Sequence, residues 1–312
     1  MQRTVSDYLL IVLKGMGMGA ADIIPGVSGG TIAFITGIYQ ELINSIRSVN
    51  LEGLRILKKE GVVNAWRHIN GNFLVAVFGG ILFSIFSLAR LFSWLVANYQ
   101  MLVWAFFFGL IIGSAIFVGK KIRHWNFVTL LMLISGTAIA WYITIASPAT
   151  TTEAIWFIII TGSIAISAMI LPGISGSFIL LLMGKYEFIL NAVKDVKIII
   201  LAAFAAGCAI GLISFSNIIA WFFKNYPNAT MAMLSGFMIG SLNKLWPWKE
   251  VIEHRLNSHG EMVPFLERSI LPQQYADMVQ NDPMIIPIII CSIAGMGIVL
   301  LLEYIAKPTT TT

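Results

Sequence analysis

The sequence predicts an all-α polytopic membrane protein built as an inverted-topology repeat, each half a broken re-entrant helical hairpin plus three transmembrane helices. Three observations predict it. The 312 residues are 58% hydrophobic and 11% charged, with a mean hydropathy of +0.85. Soluble domains carry about 25% charged residues, and a single core stops growing at roughly 250–300 residues, so this much apolar surface calls for lipid as solvent. Long apolar runs recur along the whole chain. A Pro-Gly-x-Ser-Gly break occurs twice, at Pro25–Gly29 and Pro172–Gly176. Composition thus excludes a soluble enzyme, a disordered chain and a disulfide-built secreted domain. The net charge of +5 is read as loop bias rather than nucleic-acid binding, because excess Lys and Arg in a membrane protein marks cytoplasmic loops.

The first half spans residues 1–147, with a hairpin at 5–46 and helices at 73–96, 101–118 and 126–145. Its first apolar stretch is interrupted by Asp7 and Lys14, so it is not read as a cleavable signal peptide. The second half spans 148–306, with a hairpin at 154–193 and helices at 198–223, 229–246 and 285–306. Residues 307–312 are a polar tail. Each apolar run reads as helix because hydrocarbon offers the backbone no other hydrogen-bond partner. Pro25, Gly26, Pro172 and Gly173 are structural breaks: proline removes a donor, and glycine permits conformations closed to other residues.

The two halves are copies. Ile24–Arg47 aligns without gaps on Leu171–Lys194 at an offset of 147, with Pro25/Pro172, Ser28/Ser175, Gly37/Gly184, Tyr39/Tyr186 and Asn44/Asn191 identical. The register resumes at an offset of 127, matching Gly80/Gly207, Trp94/Trp221, Tyr99/Tyr226, Gly109/Gly236 and Gly113/Gly240. The excess in the first half falls in the polar connection around Val49–Gly71. Three long crossings per half are an odd number, so the second copy enters from the opposite side. That is the architecture of many secondary transporters. Arg47, Arg55, Lys58, Lys59 and Arg67, with Lys120, Lys121 and Arg123, mark one side as cytoplasmic and place both termini there. Lys194 and Lys197 dissent. The loop from Pro247 to Pro283 is expected outside.

The hairpin tips carry the chemistry. A helix beginning at each tip presents free N–H groups and a positive dipole end. With Ser28, Gly29, Gly30, Thr31, Ser175, Gly176 and Ser177 gathered near the midplane, the tips form an anion site suited to phosphate. The bland reading is a tight turn that lets two helices pack. Arg90, inside its helix, is a further candidate to meet a phosphate, or else it snorkels or pairs with an acid. Asp22, Glu41 and Glu187 are candidate coupling carboxylates for H+ or Na+. Asp22 has Met169 as its counterpart, so the repeat does not require it; its local alternative is to bond the N–H groups of the turn. Lys14 is expected to pair with Asp7 or to reach a lipid headgroup. Tyr39/Tyr186 and Trp94/Trp221 are expected as interface anchors, and Gly109/Gly113 and Gly236/Gly240 as helix-packing faces. Cys208 and Cys291 lie in apolar runs, and the four histidines show no metal-ligand spacing, so no metal or other cofactor is expected.

The runs GMGMGAADIIPGVSGGTIAFITGIYQELI and ILPGISGSFILLLMGKYEFIL closely resemble the bacterial polyprenyl-phosphate transporter family. The resemblance covers essentially the whole chain. It implies a flippase, not an enzyme, that returns undecaprenyl phosphate from the outer to the inner leaflet of the cytoplasmic membrane. The substrate is then a lipid phosphate and the surroundings a phospholipid bilayer. A homodimer is compatible with it. Without the resemblance, the residues also fit an ion-coupled carrier of a small soluble anion. A polyprenyl pyrophosphate phosphatase fits poorly, since no histidine lies in an apolar segment to serve a nucleophile.

Overall fold

The computed structural model describes residues 3–23, 27–149, 151–256, 262–280 and 282–306. The chain is helical almost throughout. The first hairpin is α1 (Val5–Ile23), α2 (Gly29–Ile35) and α3 (Tyr39–Arg47). The polar connection expected around Val49–Gly71 forms two short helices, α4 (Leu51–Glu60) and α5 (Val62–His68). Asn50 caps α4 by accepting from the N–H groups of Glu52 and Gly53. A 50-residue helix, α6 (Gly71–Lys120), follows. It takes in both predicted helices 73–96 and 101–118 and departs from helical geometry at Tyr99 (φ −136°, ψ 38°). Then comes α7 (Phe127–Ile145), opened by a reciprocal cap between Asn126 and Thr129.

The second half runs α8 (Ile155–Ile170), α9 (Gly176–Leu182), α10 (Tyr186–Lys194), α11 (Ile198–Asn225), α12 (Pro227–Ser241) and α14 (Ile285–Ala306). Between α12 and α14 lie a 3-10 turn at Leu242–Leu245, an antiparallel hairpin of β1 (Lys249–Leu256) and β2 (Met262–Ser269), and the short helix α13 (Pro272–Val279). The sequence reading expected only a polar loop there. It also extended α12 to residue 246, whereas the helix tightens to 3-10 geometry and stops at Trp246, ahead of Pro247, a position that disfavours helix. At 15 residues, α12 spans about 23 Å, short of a hydrocarbon core about 30 Å thick. Among the described residues, five segments are long and apolar enough to cross a bilayer: 71–88, 94–120, 127–145, 198–225 and 285–304. The pair α9 and α10 bends by 108° at its break.

The two offsets reappear in the element boundaries. α2 and α3 map onto α9 and α10, residue for residue, at 147. Tyr99, where α6 breaks, maps at 127 onto Tyr226 (φ −135°, ψ 57°), which separates α11 from α12. Trp94 and Trp221, both exposed, meet these tyrosines edge-on at 5.6 and 5.7 Å. Helix contacts recur too. Gly15 and Gly80 bring α1 against α6, and their counterparts Gly162 and Gly207 bring α8 against α11. The third long helix of each half packs on the other half: Gly236 and Gly240 of α12 meet Leu133 and Thr137 of α7, while Gly109 and Gly113 of α6 meet Ser292 and Met296 of α14. The main buried cluster gathers around the first hairpin, with Val27, Phe34, Tyr39 and Ile43 against Phe73, Val77, Ile111, Leu234 and Met238. Tyr39 is therefore a core residue rather than an interface anchor. Only 3% of it is exposed, and its ring packs on Phe34 and Phe223.

Candidate functional site

The two hairpin tips meet. The Ser28 hydroxyl donates to the carbonyls of Met169 (3.0 Å) and Leu171 (3.1 Å), at the C-terminal end of α8. The Gly173 N–H donates to the Thr31 hydroxyl at 3.0 Å. Ser28 and Thr31 are fully buried. Gly30 lies so close to the Ile170 carbonyl that a side chain there would collide with backbone. Gly173 has φ +88° and faces the Phe237 carbonyl of α12, so only glycine fits both the conformation and the space. Ser175 and Ser177 pair with each other, hydroxyl to hydroxyl, at 2.8 Å. Pro172 and Gly176 are buried beside them. Pro25 and Gly26 lie outside the described residues.

Asp22 fills the place expected for an anion. Its Oδ1 accepts from the Gly29 N–H at 2.7 Å, at the N-terminus of α2. The Gly30 N–H is taken by the Ser28 hydroxyl at 3.1 Å, and the Thr31 N–H by the Ser28 carbonyl at 2.9 Å. The N–H groups of Gly29, Gly30 and Thr31 are thus satisfied within the protein. A phosphate reaches them only by displacing the Asp22 carboxylate or by parting the tips. Asp22 also lines a small, largely apolar cavity of about 80 Å³ with Tyr39, Phe78, Ile81, Ile166, Met169 and Leu212.

The other charged candidates stand apart from the tips. Both oxygens of Glu41 are bonded by Arg3, at 2.7 and 2.6 Å, and Oε1 also accepts from Asn70 at 2.8 Å. Glu41 therefore ties the chain's start and α6's start to α3. Glu187 is half-buried in the first turn of α10. Arg90 is exposed, nine residues beyond the Ile81 that lines the Asp22 cavity, about 13 Å along α6. Lys14 does not pair with Asp7. It donates to the Thr36 carbonyl at 2.8 Å, closing the C-terminal end of α2, while Asp7 bonds Thr4.

Sequence reasoning missed Lys185. Its ammonium is buried at the α9–α10 hinge, donates to the Thr151 carbonyl at 2.9 Å and lies over the rings of Phe188 and Phe157. The repeat carried the signal, since Lys185 stands opposite Ile38 as Asp22 stands opposite Met169. Among the described residues, no cluster of three or more His, Cys, Asp or Glu side chains suits a metal ion.

Beside the tips runs a wholly apolar groove of about 370 Å³ between α7, α11 and α12, lined by Val128, Met132, Phe215, Ile219, Met233 and Phe237, among others. Its inner wall includes Leu171, the residue whose carbonyl receives the Ser28 hydroxyl. Its rim residues Val128, Ile218, Phe222 and Tyr226 are exposed, so it opens sideways.

A polyprenyl-phosphate transporter of Vibrio cholerae serotype O1 is 46% identical over 301 residues, covering 96% of this chain and 98% of the relative. A polyprenyl-phosphate transporter of Staphylococcus aureus is 34% identical over 254 residues, covering 76% of this chain and 85% of the relative. No solved structure matched the chain. Residues 18–263 match the VCA0040-like family, described as undecaprenyl phosphate translocase-like. The chain is a multi-pass membrane protein and belongs to this family of transporters, which are not enzymes.

Proposed function

We propose that the protein carries a polyprenyl phosphate, of the undecaprenyl class, from the outer to the inner leaflet of a bacterial cytoplasmic membrane. The observation that carries this reading is that Leu171 belongs both to the wall of the apolar groove and to the meeting point of the tips. A lipid phosphate needs that combination: a sideways-open apolar track for its tail, ending at polar groups for its headgroup. A carrier of a small soluble anion has no use for a groove without polar lining. In this reading the phosphate parts the tips and takes the hydrogen bonds that Ser28 now gives to the Met169 and Leu171 carbonyls, Gly29 to Asp22, Gly173 to Thr31, and Ser175 and Ser177 to each other.

The halves, 1–147 and 148–306, act as inverted repeats. Matching element boundaries and matching glycine contacts support that reading. The basic residues support one cytoplasmic end. Lys120 pairs with Glu303 near the end of α14, the Arg123 N–H bonds Asn228 at the start of α12, and the Lys121 ammonium lies over Phe117 and Phe34. Both termini then lie on that side.

Moving an anion inward works against an inside-negative potential, at about 2.3 kcal/mol per charge per 100 mV. Uptake of H+ or Na+ with the lipid offsets that cost. Asp22 is the coupling group best placed for it, because its carboxylate and the phosphate compete for the same Gly29 N–H. Protonating Asp22 weakens its hold on that donor and admits the phosphate.

The test is reconstitution in vesicles, following fluorescent polyprenyl phosphate in the outer leaflet with and without imposed H+ and Na+ gradients. Protein-dependent inward loss of the lipid, faster with one gradient, is the expected result. Equal rates with empty vesicles would sink the function, and indifference to both gradients would sink the coupling.

A further inference from the structure

We infer that a second anion station lies away from the tips, at the edge between α3 and α11, and that it receives the phosphate monoester headgroup of the cargo lipid on the basic side of the molecule. This rests on the polyprenyl phosphate reading above. A cavity of about 270 Å³ opens there, lined by Gln40, Ile43, Asn44 and Arg47 of α3 and by Ala220, Phe223 and Lys224 of α11. Gln40, Asn44 and Arg47 follow the i, i+4, i+7 spacing that puts them on one face of α3. Two cations and two amides thus surround one space, and among the described residues no carboxylate lines it.

The guanidinium is held in place. Arg47 Nε donates to Asn217 Oδ1 at 2.9 Å, and Asn217 in turn donates to the Ile213 carbonyl of its own helix at 2.9 Å. An arginine oriented through Nε presents its other nitrogens as a fork, the geometry that phosphate oxygens accept in pairs. The nearby acid, Glu41, is turned to Arg3 and Asn70, so it does not neutralise the cavity. The floor is apolar: Ile43 is 1% and Ala220 8% exposed. The rim, with Gln40, Asn44, Arg47 and Lys224, is exposed.

The site adjoins the tail groove around one helix. Ile219 and Phe222 of α11 line the groove, and their sequence neighbours Ala220 and Phe223 line the basic cavity, about 100° further round. A lipid with its tail along the first face can therefore hold its phosphate on the second. Charge, amides and an apolar floor together suit a headgroup at the membrane surface better than a free ion in water.

Arg47 is exposed, so its reaction with phenylglyoxal gives a readout local to this cavity. The full chain in detergent is modified alone and with farnesyl phosphate, farnesol, inorganic phosphate or phosphatidylglycerol, and adduct at Arg47 is counted by mass spectrometry. Farnesyl phosphate is expected to slow the modification at least fivefold, and the other three are not. Equal protection by phosphatidylglycerol would make the cavity a general lipid contact, and equal protection by inorganic phosphate a soluble-anion site. Either result overturns the proposal, as does no protection at all. In vesicles, Arg47→Gln with Lys224→Gln is expected to slow polyprenyl phosphate transport about 10- to 100-fold, the scale of losing one or two charge-assisted hydrogen bonds. Arg47→Lys, which keeps the charge but not the fork, should fall between. If the wild type transports and the double variant matches it, the station is wrong while the transport reading stands. If the wild type itself fails to transport, the transport reading falls instead.

Discussion

Asp22 has one role that its contacts show and a coupling role proposed for it, and chemistry separates the two. Its carboxylate closes the N-terminus of α2 by accepting from Gly29, the residue after the Ser28 that crosses to the other tip. Asparagine keeps a carbonyl oxygen for the Gly29 N–H but carries no charge and binds no proton. Asp22→Asn is therefore expected to fold and to bind farnesyl phosphate much as the wild type does, while transport loses its acceleration by the ion gradient. Asp22→Ala removes the acceptor as well and leaves a buried N–H unpaired, which costs about 1–3 kcal/mol. A lower melting temperature in detergent should report it. If Asp22→Asn responds to the gradient as the wild type does, Asp22 is only a cap. Sequence alone pointed to Asp22, because a carboxylate replaced the Met169 of the other copy. Its local alternative, a bond to the N–H groups of the turn, is what the structure shows; the sequence did not single out Gly29 among them, since a backbone N–H carries no residue-type signal. The same holds for Ser28, whose acceptors are the carbonyls of Met169 and Leu171. Lys185 was legible by the same mismatch with Ile38, but the loop that buries it, through the Thr151 carbonyl, has no counterpart pattern to read.

The hairpins show how a glycine's cost depends on what faces it. Gly37 and Gly184 both turn the chain between the short hairpin helices, at φ +76° and +63°. Gly37 faces open space, whereas Gly173, at φ +88°, faces the backbone of α12. Gly37→Ala is thus expected to cost about 1 kcal/mol, the conformational penalty alone. Gly173→Ala should cost about 3 kcal/mol or more, because the Phe237 carbonyl has to move as well. Thermal unfolding of the two variants in one detergent compares them; equal losses would mean that the α9 tip is free of α12. Helix boundaries were the most legible part of the fold. Residues 285–306 match α14 at both ends, because an apolar run in hydrocarbon has helix as its outlet for backbone hydrogen bonds. The β1–β2 hairpin was not legible. Its strands mix charge and apolar residues without clean alternation, and Pro264 interrupts the second. The loop is instead anchored by backbone acceptors, with Trp246 donating to the Ile270 carbonyl and Trp248 to the Pro283 carbonyl.

Across the whole molecule, copies whose hairpin helices share their bounds are packed differently. α3 lies against α11 and buries Tyr39, Leu42, Ile43, Ser45 and Ile46, while α10 has no comparable packing against α6 and buries only Ile189 and Ala192. Ser28 reaches across to the other hairpin, but its counterpart Ser175 stays within its own tip. If the halves work as the proposed inverted repeat, two related copies in two arrangements correspond to a carrier with one side closed and the other not. Exchanging the arrangements swaps the partners. Arg47 and Asn217, now 2.9 Å apart, correspond at offsets of 147 and 127 to Lys194 and Arg90. Two cations brought together repel and an anion between them relieves the repulsion, so in the proposed cycle phosphate favours the exchanged state. Arg90, exposed and remote from the tips here, is in that cycle the residue proposed to meet the headgroup on the opposite side. Cysteine pairs test this in a chain carrying Cys208→Ala and Cys291→Ala. Arg47→Cys with Asn217→Cys is expected to cross-link readily in the absence of lipid phosphate. Leu190→Cys with Val96→Cys, the counterparts of Ile43 and Phe223, leaves Lys194 and Arg90 in place and is expected to cross-link slowly at first, and several-fold faster once farnesyl phosphate is added. If the second pair never forms a disulfide under any condition while the first always does, the asymmetry is a fixed feature of the fold and α10 does not take α3's place.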